Sequence, residues 1–192
     1  MDWITVAMEE YKTLREASLS SMKMQQSILT FGTATIGIIL SAGFNVWEKR
    51  FLPEIIFMAL LPAVSYLIVL SYIGETGRMF RAGRFIALIE NKINSRFLEK
   101  EKALSWESWL LTTQNDGKTP HHKLWFHHIS IFIFFILVSF ISMIIGNIKL
   151  YSVTPLTLLF FIDMFEIGVL LKIIEIFISL SKLNLQARPN LL

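Results

Sequence analysis

PLTLLFFIDMFEIGVLLKIIEIFISL, residues 155–180, is the stretch on which the reading of the chain turns. It exceeds the roughly 20 apolar residues a helix needs to cross a bilayer, yet it contains Asp163, Glu166, Lys172 and Glu175. Its seventeen Leu, Ile, Phe and Val residues favour insertion by about 5–10 kcal/mol, and each central charge opposes it by about 2.5–3.5 kcal/mol. Two mid-span acids cancel much of the gain, and four charges can cancel all of it. Such a helix is marginal when surrounded by lipid alone, so its acids are expected to face other helices or water.

Helical geometry separates the four charges. Asp163 and Glu166 are three apart and share a face, as do Lys172 and Glu175. At about 100° per residue, Lys172 lies opposite Asp163. Lys172 can snorkel and pair with Glu175 near an interface, whereas Glu166 falls near the middle of the span. Asp163 and Glu166 are therefore the candidates for a pore lining, an ion site or a proton site. The alternative is a buried structural hydrogen bond to another span.

Composition agrees with an integral membrane protein. Of 192 residues, 54% are hydrophobic, with 16 Phe, and the apolar residues fall in blocks. The absence of cysteine excludes disulfides and thiolate metal sites. The opening residues carry acids rather than a basic start before an apolar run, so no cleavable signal peptide is expected.

From these patterns we expect an all-α protein with four transmembrane helices and a cytosolic helical layer. Residues 1–26 read as an amphipathic cytosolic helix capped by Asp2, with Ile4, Ala7/Met8, Tyr11 and Leu14 at helical spacing and no break before the first span. Residues 27–73 hold spans one and two. In span one, Thr33, Gly37 and Ser41 form a line of small residues suited to close helix packing, within a subunit or between subunits. Trp47 sits where an interfacial aromatic belongs. Pro53 starts span two, Pro62 is expected to kink it, and Gly74 and Gly77 mark its exit.

Residues 74–119 form a basic cytosolic segment. Its first part reads as a helix with Ala82, Phe85/Ile86, Ile89, Ile93 and Phe97 on one side. Residues 120–180 hold spans three and four, and 181–192 a cytosolic tail. With the N-terminus in the cytosol, fourteen Lys or Arg lie inside and three outside. The positive-inside rule then places both termini in the cytosol, at the inner membrane of a cell.

Arg78, Arg81 and Arg84 recur every third residue, with Phe80 and Phe85 among them. Arginine forks suit phosphate and the rings suit base stacking, so this set is a candidate anionic-ligand site. The plainer reading is a basic cluster that fixes topology or touches anionic lipid. His121, His122, His127 and His128 include no pair three or four apart, so no metal site is expected. Glu90, Glu99, Glu101 and Glu107 read as surface residues. No nucleophile motif, P-loop or dinucleotide fingerprint occurs, so neither catalysis nor a cofactor is expected.

Several strings carry a resemblance. They are Glu10-Tyr11-Lys12-Thr13-Leu14-Arg15, the Gln25-Gln26 pair, Arg78-Met79-Phe80-Arg81-Ala82-Gly83, Glu90 with Ile93-Asn94, and Trp106-Glu107-Ser108-Trp109-Leu110. Across much of residues 10–111 the chain resembles a group of small bacterial integral membrane proteins. Its layout is similar to the small multi-span effectors of anti-phage defence, the Hailong-type ion-channel-like effector being nearest in kind. In that effector a short DNA oligomer holds an oligomeric channel shut. The likeness is one of architecture, so no ligand contacts carry over residue by residue. It implies a homo-oligomer, a cytosolic gate, a nucleotide or oligonucleotide ligand, and a nucleotide-synthesising partner enzyme. A membrane scaffold or small transporter subunit that docks a soluble partner is the alternative expectation.

Overall fold

In the computed structural model the described residues are 3–49, 51–96, 122–150, 164 and 166–179, with side chains left aside at 122–127 and 150. Every described element is helical. They are α1 (Trp3–Asn45), α2 (Leu52–Ile55), a π-helical turn (Ile56–Leu60), α3 (Leu61–Asn94), α4 (His122–Leu150) and α5 (166–179). Among the described residues, three stretches are long and apolar enough to cross a membrane: Trp3–Asn45, Leu52–Asn94 and His128–Lys149.

The first two are rods of 43 residues each, about 65 Å at 1.5 Å per residue, or twice the hydrocarbon thickness of a bilayer. Each therefore has an apolar half and a half that extends well beyond it. The cytosolic and membrane segments expected from composition are parts of the same rods: α1 runs unbroken across residue 26, and α3 across Gly74 and Gly77.

The rods pair antiparallel in one constant register. Tyr11 meets Glu90, Gln25 meets Thr76, Gly32 meets Ile68 and Gly43 meets Phe57. Each advance along α1 is matched by a nearly equal retreat along the partner rod. On α1 the buried positions are Ala7, Tyr11, Ser21, Gln25, Gly32, Ile36 and Gly43, with Leu14, Ser18 and Ile28 half-buried between them. This is the narrow 3.5-residue repeat of a coiled-coil seam. Its residues are mostly small or polar, so hydrophobicity alone does not reveal it.

Pro62 acts through the turn before it. A proline ring clashes with the carbonyl four residues back and offers no N–H. Here the chain opens into the π turn, closed by the Leu61 N–H on the Ile56 carbonyl. The connection between the rods ends at Phe51, whose φ of 66° is left-handed, and Pro53 then starts α2. Trp47 packs with Phe44 and Phe57 and lies under the Lys149 ammonium at 5.0 Å, tying the connection to the far end of α4.

Four helices meet in one core. Ile36 of α1, Tyr66, Val69 and Ile73 of α3, Phe135 of α4 and Ile173 of α5 form a buried cluster. Phe132 and Phe177 stack at 4.7 Å beside it. Gly146 lets α4 approach the π turn closely, because a Cβ there would overlap Met58.

Candidate functional site

The interior of this bundle is more polar than its composition suggests. Glu166 on α5 is 7% exposed and lies against the enclosed side of α3 and α4. The Tyr66 phenol faces Ser139 and is within electrostatic reach of the Glu166 carboxylate. Ser65 and Ser139 are also buried, and the Ser65 hydroxyl donates to the Leu61 carbonyl of its own helix. Toward the connection, Ser142 donates to the Phe57 carbonyl at 2.6 Å, bracing the π turn against α4. Toward the other end, the Tyr72 hydroxyl and His128 Nδ1 are 2.6 Å apart, with Phe80 edge-on to the same imidazole.

The acids separate by environment. Lys172 and Glu175 form the ion pair their spacing predicts, at 2.8 Å on the exposed side of α5. Glu166 instead turns inward, enclosed by helices of its own chain. Asp163 lies outside the described residues. Glu54 is buried in the first turn of α2, where a carboxylate is favoured by the helix N-terminus.

A second polar line follows the α1–α3 seam. Gln25 Nε2 donates to Thr76 Oγ1 at 3.1 Å, and Thr76 passes its own proton to the Tyr72 carbonyl at 2.9 Å. Further along, the Tyr11 hydroxyl donates to Glu90 Oε1 at 3.3 Å, and Glu90 is 0% exposed. The sequence reading placed Glu90 on the surface, and the structure corrects this. Ile86, Ala87, Glu90 and Ile93 are the buried positions there, while Phe85 is 57% exposed. Ala82, Ile86 and Ile93 lie on the side that spacing marks, with Ile89 half-buried, and Glu90 rather than Phe85 completes the buried face. The spacing of Ile86, Glu90 and Ile93 carried the signal, and a phenol at the matching register position of α1 completes it.

Thr33, Gly37 and Ser41 are exposed, outside the intrachain seam. A Cβ on Gly37 would meet nothing within 4 Å, and Thr33 Oγ1 folds back on the Leu29 carbonyl at 2.6 Å. The glycines that bring the rods together are instead Gly32 and Gly43, about 80–140° around the helix from Thr33 and Gly37. Thr33 also borders a cavity of about 380 Å³ between α1 and α4, near Thr30, Ser130 and Phe134.

The arginine row is divided. Arg78 and Arg81 line an open groove of about 580 Å³ with Met24, Ile28, Ser71 and Gly74. Arg84 is exposed but does not line it. Phe80 is turned onto His128 and away from the arginines, and Phe85 stands exposed outside the groove lining. Among the described residues no three His, Asp or Glu side chains cluster as a metal site would need. No protein-family model, curated protein or solved structure matches the chain.

Proposed function

We propose that this is an oligomeric membrane effector that forms a gated ion pathway under the control of a cytosolic nucleotide or oligonucleotide signal in anti-phage defence. In this reading four helices span the inner membrane with both termini in the cytosol. The polar halves of the rods form a cytosolic stalk whose basic face, including Arg84 and Lys92, receives the signal made by a partner enzyme. The observation that supports it best is the outward line of Thr33, Gly37 and Ser41. It lies in the apolar half of α1, outside the α1–α3 seam among the described residues, and small residues there let a helix of a second copy approach to backbone distance.

Single-site cysteine at position 37 tests the assembly. Gly37→Cys in native membranes should give a disulfide-linked dimer under oxidation, while a cysteine at the buried Ile36 should not. Planar-bilayer recording tests conduction, with Asp163→Asn and Glu166→Gln expected to lower cation preference. If purified protein carries no current with or without oligonucleotide, the pore reading fails.

A second reading has its own support. Because Glu166 is enclosed beside Tyr66 and Ser139 within one chain, its carboxyl suits a structural or proton-coupled role in a scaffold or small transporter subunit. Cell depolarisation on overexpression separates the two, since a deregulated pore depolarises and a scaffold does not.

A further inference from the structure

We infer that the groove between α1 and α3 holds one anionic membrane lipid, with its phosphate against Arg81 and Arg78 and its acyl chains against Met24 and Ile28. The inference depends on the membrane placement given above and not on the existence of a pore. The groove runs along α3 from Ser71 to Arg81, about 15 Å at the helical rise, and its chemistry changes over that length. Ile28 and Ser71 belong to the apolar half of the rods, and Arg78 and Arg81 to the polar half. The groove therefore straddles the level at which a headgroup meets hydrocarbon.

The lining favours an amphiphile over a soluble nucleotide. A nucleotide calls for a stacking ring beside its phosphate donors, but Phe80 faces His128 on the other side of α3. What lies beside the arginines is thioether and aliphatic surface. The charge also fits a phosphodiester. Glu75 holds Arg78 at 3.1 Å and is itself only 15% exposed, whereas Arg81 makes no ion pair among the described residues. Two arginines and one glutamate leave a single positive charge for a single negative headgroup. Gly74 keeps the floor open, because a Cβ there would meet nothing within 4 Å.

The test uses full-length protein in nanodiscs of phosphatidylcholine alone or mixed with phosphatidylglycerol, with retained lipid measured by native mass spectrometry. Wild type should retain phosphatidylglycerol in preference to phosphatidylcholine. Arg81→Gln should lower that retention about fivefold, and Glu75→Gln should raise it by a similar factor. Gly74→Phe should abolish retention while leaving helicity and elution volume unchanged, since it grows into open space. Equal retention of the two lipids by wild type, or retention unchanged in Arg81→Gln and Gly74→Phe, would overturn the assignment. Inorganic phosphate and a short oligodeoxynucleotide, each in excess, should leave the lipid in place. Displacement by either would make this a soluble-anion site instead. Carbonate extraction reads membrane insertion separately, so an inserted protein without bound lipid sinks only the lipid site.

Discussion

The two halves of the α1–α3 seam share one register and use opposite chemistry. In the apolar half, contact is made by glycine: Gly32 under Ile68 and Gly43 under the Phe57 ring, with Ile36 between them. In the polar half, the same repeat is occupied by hydrogen-bonding pairs, Gln25 with Thr76 and Tyr11 with Glu90. On the proposed placement the apolar half lies in hydrocarbon, which gives apolar side chains no reason to leave it, so helices there are held by close backbone approach. The polar half then lies in water, which competes for every polar group, so it gains specificity from pairs that are satisfied at one register only. A slip of one residue would part both pairs and place Cβ-bearing side chains where the glycines now sit.

The strongest way to break this contrast is to fill the dry half. Gly43→Leu places a branched side chain where Phe57 ring atoms lie 2.8 Å from an ideal Cβ, and Phe57 is wholly buried. Overpacking of that kind should destabilise by about 3 kcal/mol. Thermal unfolding in detergent reads it, and a change near zero would mean that the rods are not held together at this point.

The polar half should respond in pairs. Tyr11→Phe leaves a fully buried carboxylate short of one donor and should destabilise by about 1–3 kcal/mol. Adding Glu90→Leu to Tyr11→Phe should recover part of that loss, because it removes the carboxylate that Tyr11→Phe leaves short of a donor. Gln25→Leu should be milder, about 1 kcal/mol, since Thr76 keeps its bond to the Tyr72 carbonyl. With Thr76→Val added, it should come close to wild type. A full double-mutant cycle decides the matter: strict additivity at either pair would show that the bonds seen there contribute nothing to stability.

Much of this fold was legible in the sequence, and the exceptions share a cause. The apolar blocks announced the three described helices that are long and apolar enough to cross a membrane, and the three-residue spacing of Lys172 and Glu175 announced their ion pair. These are properties of one helix taken alone. The enclosure of Glu90, the rotation of Phe80 onto His128 and the outward aspect of Thr33 depend on which side of the helix its partner occupies. Hydrophobic spacing marks the seam at Ala7, Tyr11, Leu14, Ile86 and Ile93, but between them it runs through Ser21, Gln25, Gly32 and Glu90, which hydrophobicity does not mark. The division of the arginines has the same origin. Arg78 and Arg81 share a groove only because Met24 and Ile28 of the other rod complete it.

The finest discrimination comes from two glycines six residues apart on α1. Gly43 sits in the seam, while Gly37 points away from it with nothing within 4 Å of its Cβ position. Gly37→Leu should therefore leave the fold of a single chain within about 0.5 kcal/mol of wild type, or slightly more stable, because leucine is the better helix former. Its effect should appear only between copies, as loss of the dimer trapped by cysteine cross-linking from a second outward position such as Ser41. Helicity and unfolding temperature, measured on the same sample, separate the two levels. If Gly37→Leu unfolds the chain as readily as Gly43→Leu, α1 is rotated from the orientation described and the outward line is not available to a second copy. If it leaves both fold and cross-link intact, copies meet through some other surface, and the division of α1 into an inward seam and an outward one loses its second half.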